Sequence, residues 1–490
     1  MNGSQKHELE QIARSAMRTY GLDPDFPAAT LAQLQGPTPA LPPDLRDLRS
    51  LPWSSIDNDE SRDLDQIEVC IADPAPVRVL VGVADVDRLV PKGSPLDAHA
   101  NQNTTSVYTP AIVFPMLPPE LSTDRTSLNQ EQDRAAIVVD MTIDESGTVT
   151  ALSVYAALVR NHAQLTYSGV AAWLGGSGSL AGAANARVGG SQGLRPSDLE
   201  AQLRLQDQIA QRLHKQRDAE GALTFARAEL QPIVDDSGVR ELRTEASNRA
   251  TDIIENFMIS ANGAVIRFLN SKGFTTLRRV VQSPQRWDRI VDLAAQSGGA
   301  LPAQADARAL QQFLKARRAA DPERFPDLSL AVIKLLGRGE YVADAPGQTT
   351  AHFALAVEGY THSTAPNRRY PDLINQRLLK AALANQPSPY GLDALSAIAQ
   401  HSTTQEGAAN KVERLTRKAA AALWLANRIG EQFDAIVTGA GPQGTWVRLL
   451  GKPVEGRLDS GADHLDVGDH ARVKLIHTDP RRGYIDFVAV

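Results

Sequence analysis

The chain of 490 residues has a single cysteine, Cys70, no excess of positive charge, and no run of about 18 or more apolar residues. A lone cysteine excludes an internal disulfide and any thiolate metal cluster within one chain, and Cys70 reads as a small buried hydrophobe. Without a long apolar run no membrane-spanning helix is expected. The first residues show no charged segment leading into an apolar one, so no secretory signal is expected and the expected compartment is the cytoplasm. A formal net charge of −6 exerts no overall pull on nucleic acid, so any contact with RNA or DNA needs local basic patches. With 42% apolar and 22% charged residues, the composition is that of an ordinary globular protein with core for roughly two to four domains.

What is present is concentrated in two places. Residues 55–68 read SIDNDESRDLDQIE. Asp63 and Asp65, two apart, project to the same side of an extended segment, and Asn58, Asp59, Glu60 and Ser61 have the turn chemistry to fold Asp57 back toward them. Converging carboxylates repel unless a cation lies between them. Oxygen ligands without His or Cys favour Mg²⁺ or Mn²⁺ over zinc, and Mg²⁺ completes its shell with water and substrate phosphate. Taken alone, such a stretch is more often a solvated acidic loop. The second place alters that balance. Residues 360–380, YTHSTAPNRRYPDLINQRLLK, set Arg368, Arg369, Arg377 and Lys380 against Asp372. A guanidinium pair just ahead of a helix starting near Pro371 can grip a phosphate with fork geometry. Metal on one side of a phosphorus and arginine on the other point to a phosphodiester substrate.

The rest of the pattern predicts an α+β protein, strands first and helices later. Residues 5–20 carry a helical pattern that stops at Gly21, and the proline-rich stretch 36–52 reads as a linker. Residues 66–160 read as strands, with a hairpin of 136–141 and 148–158 about the turn 144–147. Residues 105–122 are expected as an ordered irregular loop, and 175–193, rich in Gly, Ser and Ala, as a mobile excursion. Helices are expected over 199–217, 246–269, 285–295, 305–319, 328–336, 373–384 and 406–429. From 430 onward, five short strands suggest a small closed barrel of the OB type, of which Phe433, Trp446, Arg448, Lys474 and Tyr484 offer aromatic and basic surface. Gly439, Gly441 and Gly444 match a dinucleotide-binding spacing, but strands flank them and no helix follows, so they read as hairpin glycines. The expected division is a small helical module over 1–49, a catalytic domain with a mixed β-sheet core packed with helices over 50–429, and the barrel over 430–490.

Several ordered blocks carry a resemblance: SIDNDESRDLDQ at 55–66, VGVADVDRLVPKGSPLDAHA at 81–100, SVYTPAIVFPMLPPELS at 106–122, LTYSGVAAWL at 165–174, GALTF at 221–225, IIENFMISAN at 253–262, GRGEY at 337–341 and HFALAVEGYTHSTAPNRRYPDLINQRLL at 352–379. Over roughly residues 50–490 the chain resembles the ribonuclease II (RNB) family of exoribonucleases, and its C-terminal barrel resembles an S1 domain. The resemblance implies a processive, metal-dependent 3'→5' exoribonuclease releasing nucleoside 5'-monophosphates from single-stranded RNA, acting as a monomer. It implies that Asp57, Asp63 and Asp65 hold the metals, Asp65 being the least replaceable, and that Arg368 stabilises the transition-state phosphate. Tyr108 would abut the 3'-terminal nucleotides and help set the shortest product. Phe225 and Tyr167 would stack on bases in the RNA channel, and Glu255 would contact the terminal nucleotide.

Two departures from the family pattern stand out. Gln66 occupies the place of a fourth aspartate; its carbonyl can coordinate but brings no charge, and Asp59, Glu60 or Glu68 are candidates to compensate. In front, about fifty residues are too few for the family's two cold-shock barrels. A compact helical module is expected there, a helix-turn-helix variant being one form open to it, with a more open entrance for structured RNA. Gln66 also motivates the alternative of a catalytically impaired RNA-binding regulator on the same fold. A DNA-acting metal nuclease is a third reading, which the ribonuclease blocks disfavour.

Overall fold

The computed structural model describes residues 3–72, 76–180, 195–225, 229–245, 247–322, 324–348, 350–441, 444–452, 454–461, 465 and 468–490. It opens with α1 (Gly3–Thr19), whose Leu9, Ile12, Ala13, Ala16 and Met17 lie at helical spacing and are all buried. The helix gives way at Gly21, which takes a φ of 79°. After α2 (Ala28–Leu34), the strand β1 (Arg46–Asp47) breaks the expected linker, because it pairs in parallel with a later strand of the main sheet.

That sheet is built from β2 (Ser54–Asp57), β3 (Gln66–Ile71) and β4 (Val77–Ala84). After the helix α3 (Pro95–Asn103) and a small hairpin of β5 (Val107–Tyr108) and β6 (Val113–Phe114), it continues with β7 (Asp133–Ile143), β8 (Val149–Arg160) and β9 (Ala163–Thr166). The order is β1-β8-β7-β4-β3-β2-β9, parallel only at β1/β8 and β2/β9. The apolar residues of β3 and β4 are buried on both faces. Gly82 makes room there: a Cβ would stand 3.2 Å from Ile67 Cγ1 and 3.5 Å from the fully buried Trp53 ring.

The helices α4 (Tyr167–Leu174), α5 (Pro196–Glu220) and α6 (Arg249–Ser271) follow, the last two packed on each other and on the sheet. Of the expected excursion at 175–193, residues 181 onward lie outside the described set. Between α5 and α6 comes an antiparallel ribbon that the helical pattern does not reveal, β10 (Glu229–Asp235) and β11 (Gly238–Glu245), turned at Gly238 with φ 109°. Next are β12 (Thr276–Val280), α7 (Trp287–Gln296), α8 (Ala307–Ala320), α9 (Phe325–Leu336), β13 (Glu340–Asp344), β14 (Ala351–His352), β15 (Val357–Glu358) and α10 (Tyr370–Leu383).

The long helix α11 (Leu392–Leu425) starts well before the expected residue 406. Its first half contains polar residues that hide the helical pattern. Gln405 is among them: it is buried and donates to the carbonyl oxygens of Gln102 at 2.6 Å and Gly21 at 3.2 Å. At its far end, Ala421, Ala422 and Leu425 enter the core of a closed five-stranded barrel of β16 (Gln432–Gly441), β17 (Gly444–Leu449), β18 (Glu455–Ser460), β19 (His470–Asp479) and β20 (Tyr484–Ala489). Gly439, Gly441 and Gly444 lie in the β16–β17 hairpin. At the front, α1 packs chiefly on α11 and β11, whereas α2 packs on α3, so the two do not form the paired helices of a helix-turn-helix.

Candidate active site

Two segments about three hundred residues apart meet where β2 ends and β3 begins. Asp57 closes β2 and Asp65 directly precedes β3. The intervening loop is held by Ser127, whose hydroxyl accepts the Leu64 N–H at 3.0 Å and donates to the Arg62 carbonyl at 2.9 Å. Asp65, 2% exposed, accepts the Asn367 N–H at 2.8 Å on one oxygen and Arg368 Nε at 3.2 Å on the other. The arginine segment is pinned in turn: the Thr126 hydroxyl donates to Asn367 Oδ1 at 2.5 Å, and the Ser106 N–H donates to the Arg368 carbonyl at 3.0 Å.

The electrostatics follow from this enclosure. Burial pushes the Asp65 carboxyl up to about 8 and the Asp57 carboxyl up to about 7; Arg368 opposes the rise in both, and Asp63 adds to it. Asp57 Oδ2 is buried without a hydrogen-bond partner. Asp63 accepts the Tyr108 hydroxyl at 3.2 Å. The Tyr108 residue is 42% exposed, yet its hydroxyl reaches the site, where burial pushes its pKa up and keeps it a donor.

Three expectations need adjustment. First, among the described residues no three His, Cys, Asp or Glu side chains come together at metal-ligand spacing. Asp57, Asp63 and Asp65 are neighbours in charge, but Arg368 sits among them and Tyr108 takes Asp63. Second, the guanidinium pair divides between two carboxylates: Arg369 Nη2 lies 2.7 Å from Asp372, which is fully buried. Third, Arg377 and Lys380 form no open cationic patch. Arg377 lies 2.9 Å from Asp87 and 2.8 Å from Asp97, and Lys380 lies 2.9 Å from Asp85. An all-oxygen donor set with an unpartnered Asp57 oxygen and two carboxyls raised by burial nevertheless fits a hard divalent cation.

Gln66 opens β3 opposite Val83 and is 6% exposed. Glu68, on the same face of the strand, is fully buried with both oxygens unpartnered; burial, then the charge of Asp57, pushes its carboxyl well above the usual range. Tyr167 opens α4 and packs on the main core, while Phe225 packs against the cluster formed by α7, α8 and α9. Glu255 on α6 has a half-exposed carboxylate 3.8 Å from Arg217, and Trp446 on β17 lies half-buried over Gly439. Asp372, which the sequence shows only as the lone acid against four cations, holds Arg369, and sequence reasoning overlooks Thr126, Ser127 and Asn367, which hold the charged groups in place. Only Asn367 has a signal, its position beside Arg368.

The RNB domain matches residues 45–385, and the RNase II-type exonuclease C-terminal S1 domain matches residues 431–490. Ribonuclease R of Aquifex aeolicus is 28% identical over 507 residues, covering 96% of this chain and 69% of that protein; the chain spans little more than half the length of several other curated relatives. Among solved structures, Mycoplasma genitalium RNase R in complex with double-stranded RNA aligns with a TM-score of 0.85 at 21% identity, over 98% of this chain and 82% of that one. Yeast Ssd1, described as a pseudonuclease, aligns with a TM-score of 0.72 at 16% identity, over 96% of this chain and 57% of that one. With the RNB domain matching well over half its length, the chain belongs to the RNB family, carrying an RNase II-type S1 domain at its C-terminal end.

Proposed function

We propose that the protein is a divalent-metal-dependent 3'→5' exoribonuclease that shortens single-stranded RNA processively to nucleoside 5'-monophosphates, acting as a monomer in the cytoplasm. The observation that carries this reading is the meeting of Arg368 with buried Asp65, beside an Asp57 oxygen that has no partner. The name of the Aquifex relative, ribonuclease R, supports it. The catalytic part is residues 50–429, preceded by a front segment over 1–49 and followed by the barrel over 430–490.

In this reading Asp57, Asp63 and Asp65 hold Mg²⁺ or Mn²⁺, with the Gln66 carbonyl as a neutral additional ligand. Held there, a divalent cation would supply water activation and charge neutralisation at the phosphate. Arg368, now paired with Asp65, turns to the phosphate as charge builds on it. Tyr108 abuts the last nucleotides while its hydroxyl keeps Asp63 oriented. Arg369 acts through Asp372, keeping the turn at 365–370 in place. Phe225 and Tyr167 stack on bases, Glu255 meets the terminal nucleotide, and Trp446 with the barrel surface holds RNA upstream.

The test is a time course on a 5'-labelled, unstructured RNA in Mg²⁺, with an EDTA control and Asp65→Asn alongside. Short 5' end products from the parent, and binding without cutting by the variant, are expected. If the parent also binds without cutting, the regulator motivated by Gln66 replaces the enzyme.

A further inference from the structure

The hairpin β5–β6 is only two residue pairs long, too short to hold its own position in water. It nevertheless carries Tyr108, the side chain that reaches Asp63. What fixes it comes from outside. Val107 and Phe114 are buried against Ala16 and Met17 of α1 and Val412 of α11. One helical position beyond Val412, Glu413 reaches the hairpin backbone: its Oε1 accepts the Tyr108 N–H at 3.0 Å. Its other oxygen lies 3.1 Å from Arg417 one turn on, which holds the carboxylate in the rotamer that meets the hairpin. Tyr108 is thereby gripped at both ends, backbone on Glu413 and hydroxyl on Asp63.

We infer that Glu413 is a positioning residue for Tyr108, and that it sets how tightly the last few nucleotides of an RNA are held. The inference rests on the reading of Tyr108 as a contact of the 3' end. A bond from a backbone N–H to a carboxylate is charge-assisted and stronger than a neutral one. Its loss frees the hairpin to move relative to Asp63. RNA long enough to engage the barrel has other holds, whereas a short oligomer depends on the grip near the site.

The experiment compares the full-length parent with Glu413→Ala, Glu413→Gln, Tyr108→Ala and the double variant Glu413→Ala/Tyr108→Ala. Alanine favours helix and glutamine keeps an acceptor oxygen, so the fold is retained. Dissociation constants for fluorescein-labelled A5 and A20 oligoribonucleotides are measured in EDTA. Glu413→Ala is expected to weaken A5 binding about five- to tenfold and A20 binding less than twofold. Glu413→Gln should stay within about twofold of the parent, and the double variant should match Tyr108→Ala. Hydrogen exchange across residues 105–116 should quicken in Glu413→Ala. Parent-like A5 binding by Glu413→Ala, additive losses in the double variant, or unchanged exchange overturns the inference. If the parent leaves RNA uncut in Mg²⁺ and Mn²⁺, the exoribonuclease reading falls while the A5 data still decide the role of Glu413. Failure of the parent to bind either oligomer overturns both.

Discussion

The acidic cleft and the C-terminal barrel are built on opposite terms. In the barrel, Val437, Val447, Val473, Leu475, Ile485 and Phe487 are buried, and charge stays outside. Its Arg472–Asp434 pair, 2.6 Å apart, is about half exposed on both sides, the sort of contact worth at most about 1 kcal/mol. In the cleft, Asp65, Asn367 and Asp372 are buried, and some buried oxygens have no partner. The barrel can lose almost any surface group at little cost, whereas each cleft group is fixed by others that would be stranded without it. The cleft thus holds carboxylates where burial raises their free energy, which is the condition under which a cation gains most by arriving.

The strongest way to break this contrast is Asp65→Asn. It keeps the shape, and an amide oxygen can still accept the Asn367 N–H. Turnover of RNA is expected to fall about a thousandfold or more, with affinity for A20 in EDTA within about threefold of the parent. A variant that still cuts at a tenth of the parental rate would remove the cleft's special status.

The two adjacent arginines sharpen the contrast within the cleft itself. Arg369→Ala strands the fully buried Asp372 and is expected to cost about 3 kcal/mol in urea unfolding. Arg368→Ala is expected to lower turnover about a hundredfold while affinity for A20 changes little. Equal effects of the two substitutions on both measurements would mean that they share one role.

The pH dependence of stability tests the burial directly. Asp57 and Asp65 have folded pKa values of about 7 and about 8, against 3.8 ordinarily. Between those limits the folded protein keeps protons that the unfolded chain has shed, so stability falls as pH rises and levels off above about 8. For the metal-free protein in EDTA, urea unfolding should show stability falling from pH 5 to pH 8, the two carboxyls together contributing up to about 6 kcal/mol of the loss, and Asp65→Asn should flatten the upper part of the slope. A stability that rises over this range would show that the carboxylates are not penalised by burial.

The division between what was and was not legible follows the same line. The acidic run 55–66 and the arginines near 368 can be read because their chemistry lies in residue types at short spacing. The barrel strands are legible from alternation, and α1 from its periodicity. Arg377 and Lys380 look like free cations in sequence because their partners Asp85, Asp87 and Asp97 lie nearly three hundred residues away. The early start of α11 is hidden because its buried polar side chains find partners on other elements. Glu413 looks like any helical surface acid, and only the folded hairpin gives it an N–H to hold.

On the barrel side, two aromatics expected as RNA platforms separate. Trp446 lies over Gly439 and Gly444, where added Cβ atoms would come 3.5 and 3.6 Å from its ring, so much of that face is covered by its own hairpin. Tyr484, at the start of β20, is 54% exposed. A ring open to solvent can stack on a base at little cost to the fold. Tyr484→Ala should therefore weaken A20 binding about fivefold with the melting temperature nearly unchanged, while Trp446→Ala should lower stability more than affinity. If Tyr484→Ala leaves binding intact and Trp446→Ala abolishes it without loss of stability, the RNA-holding surface lies on the hairpin and the assignment of the two rings is reversed.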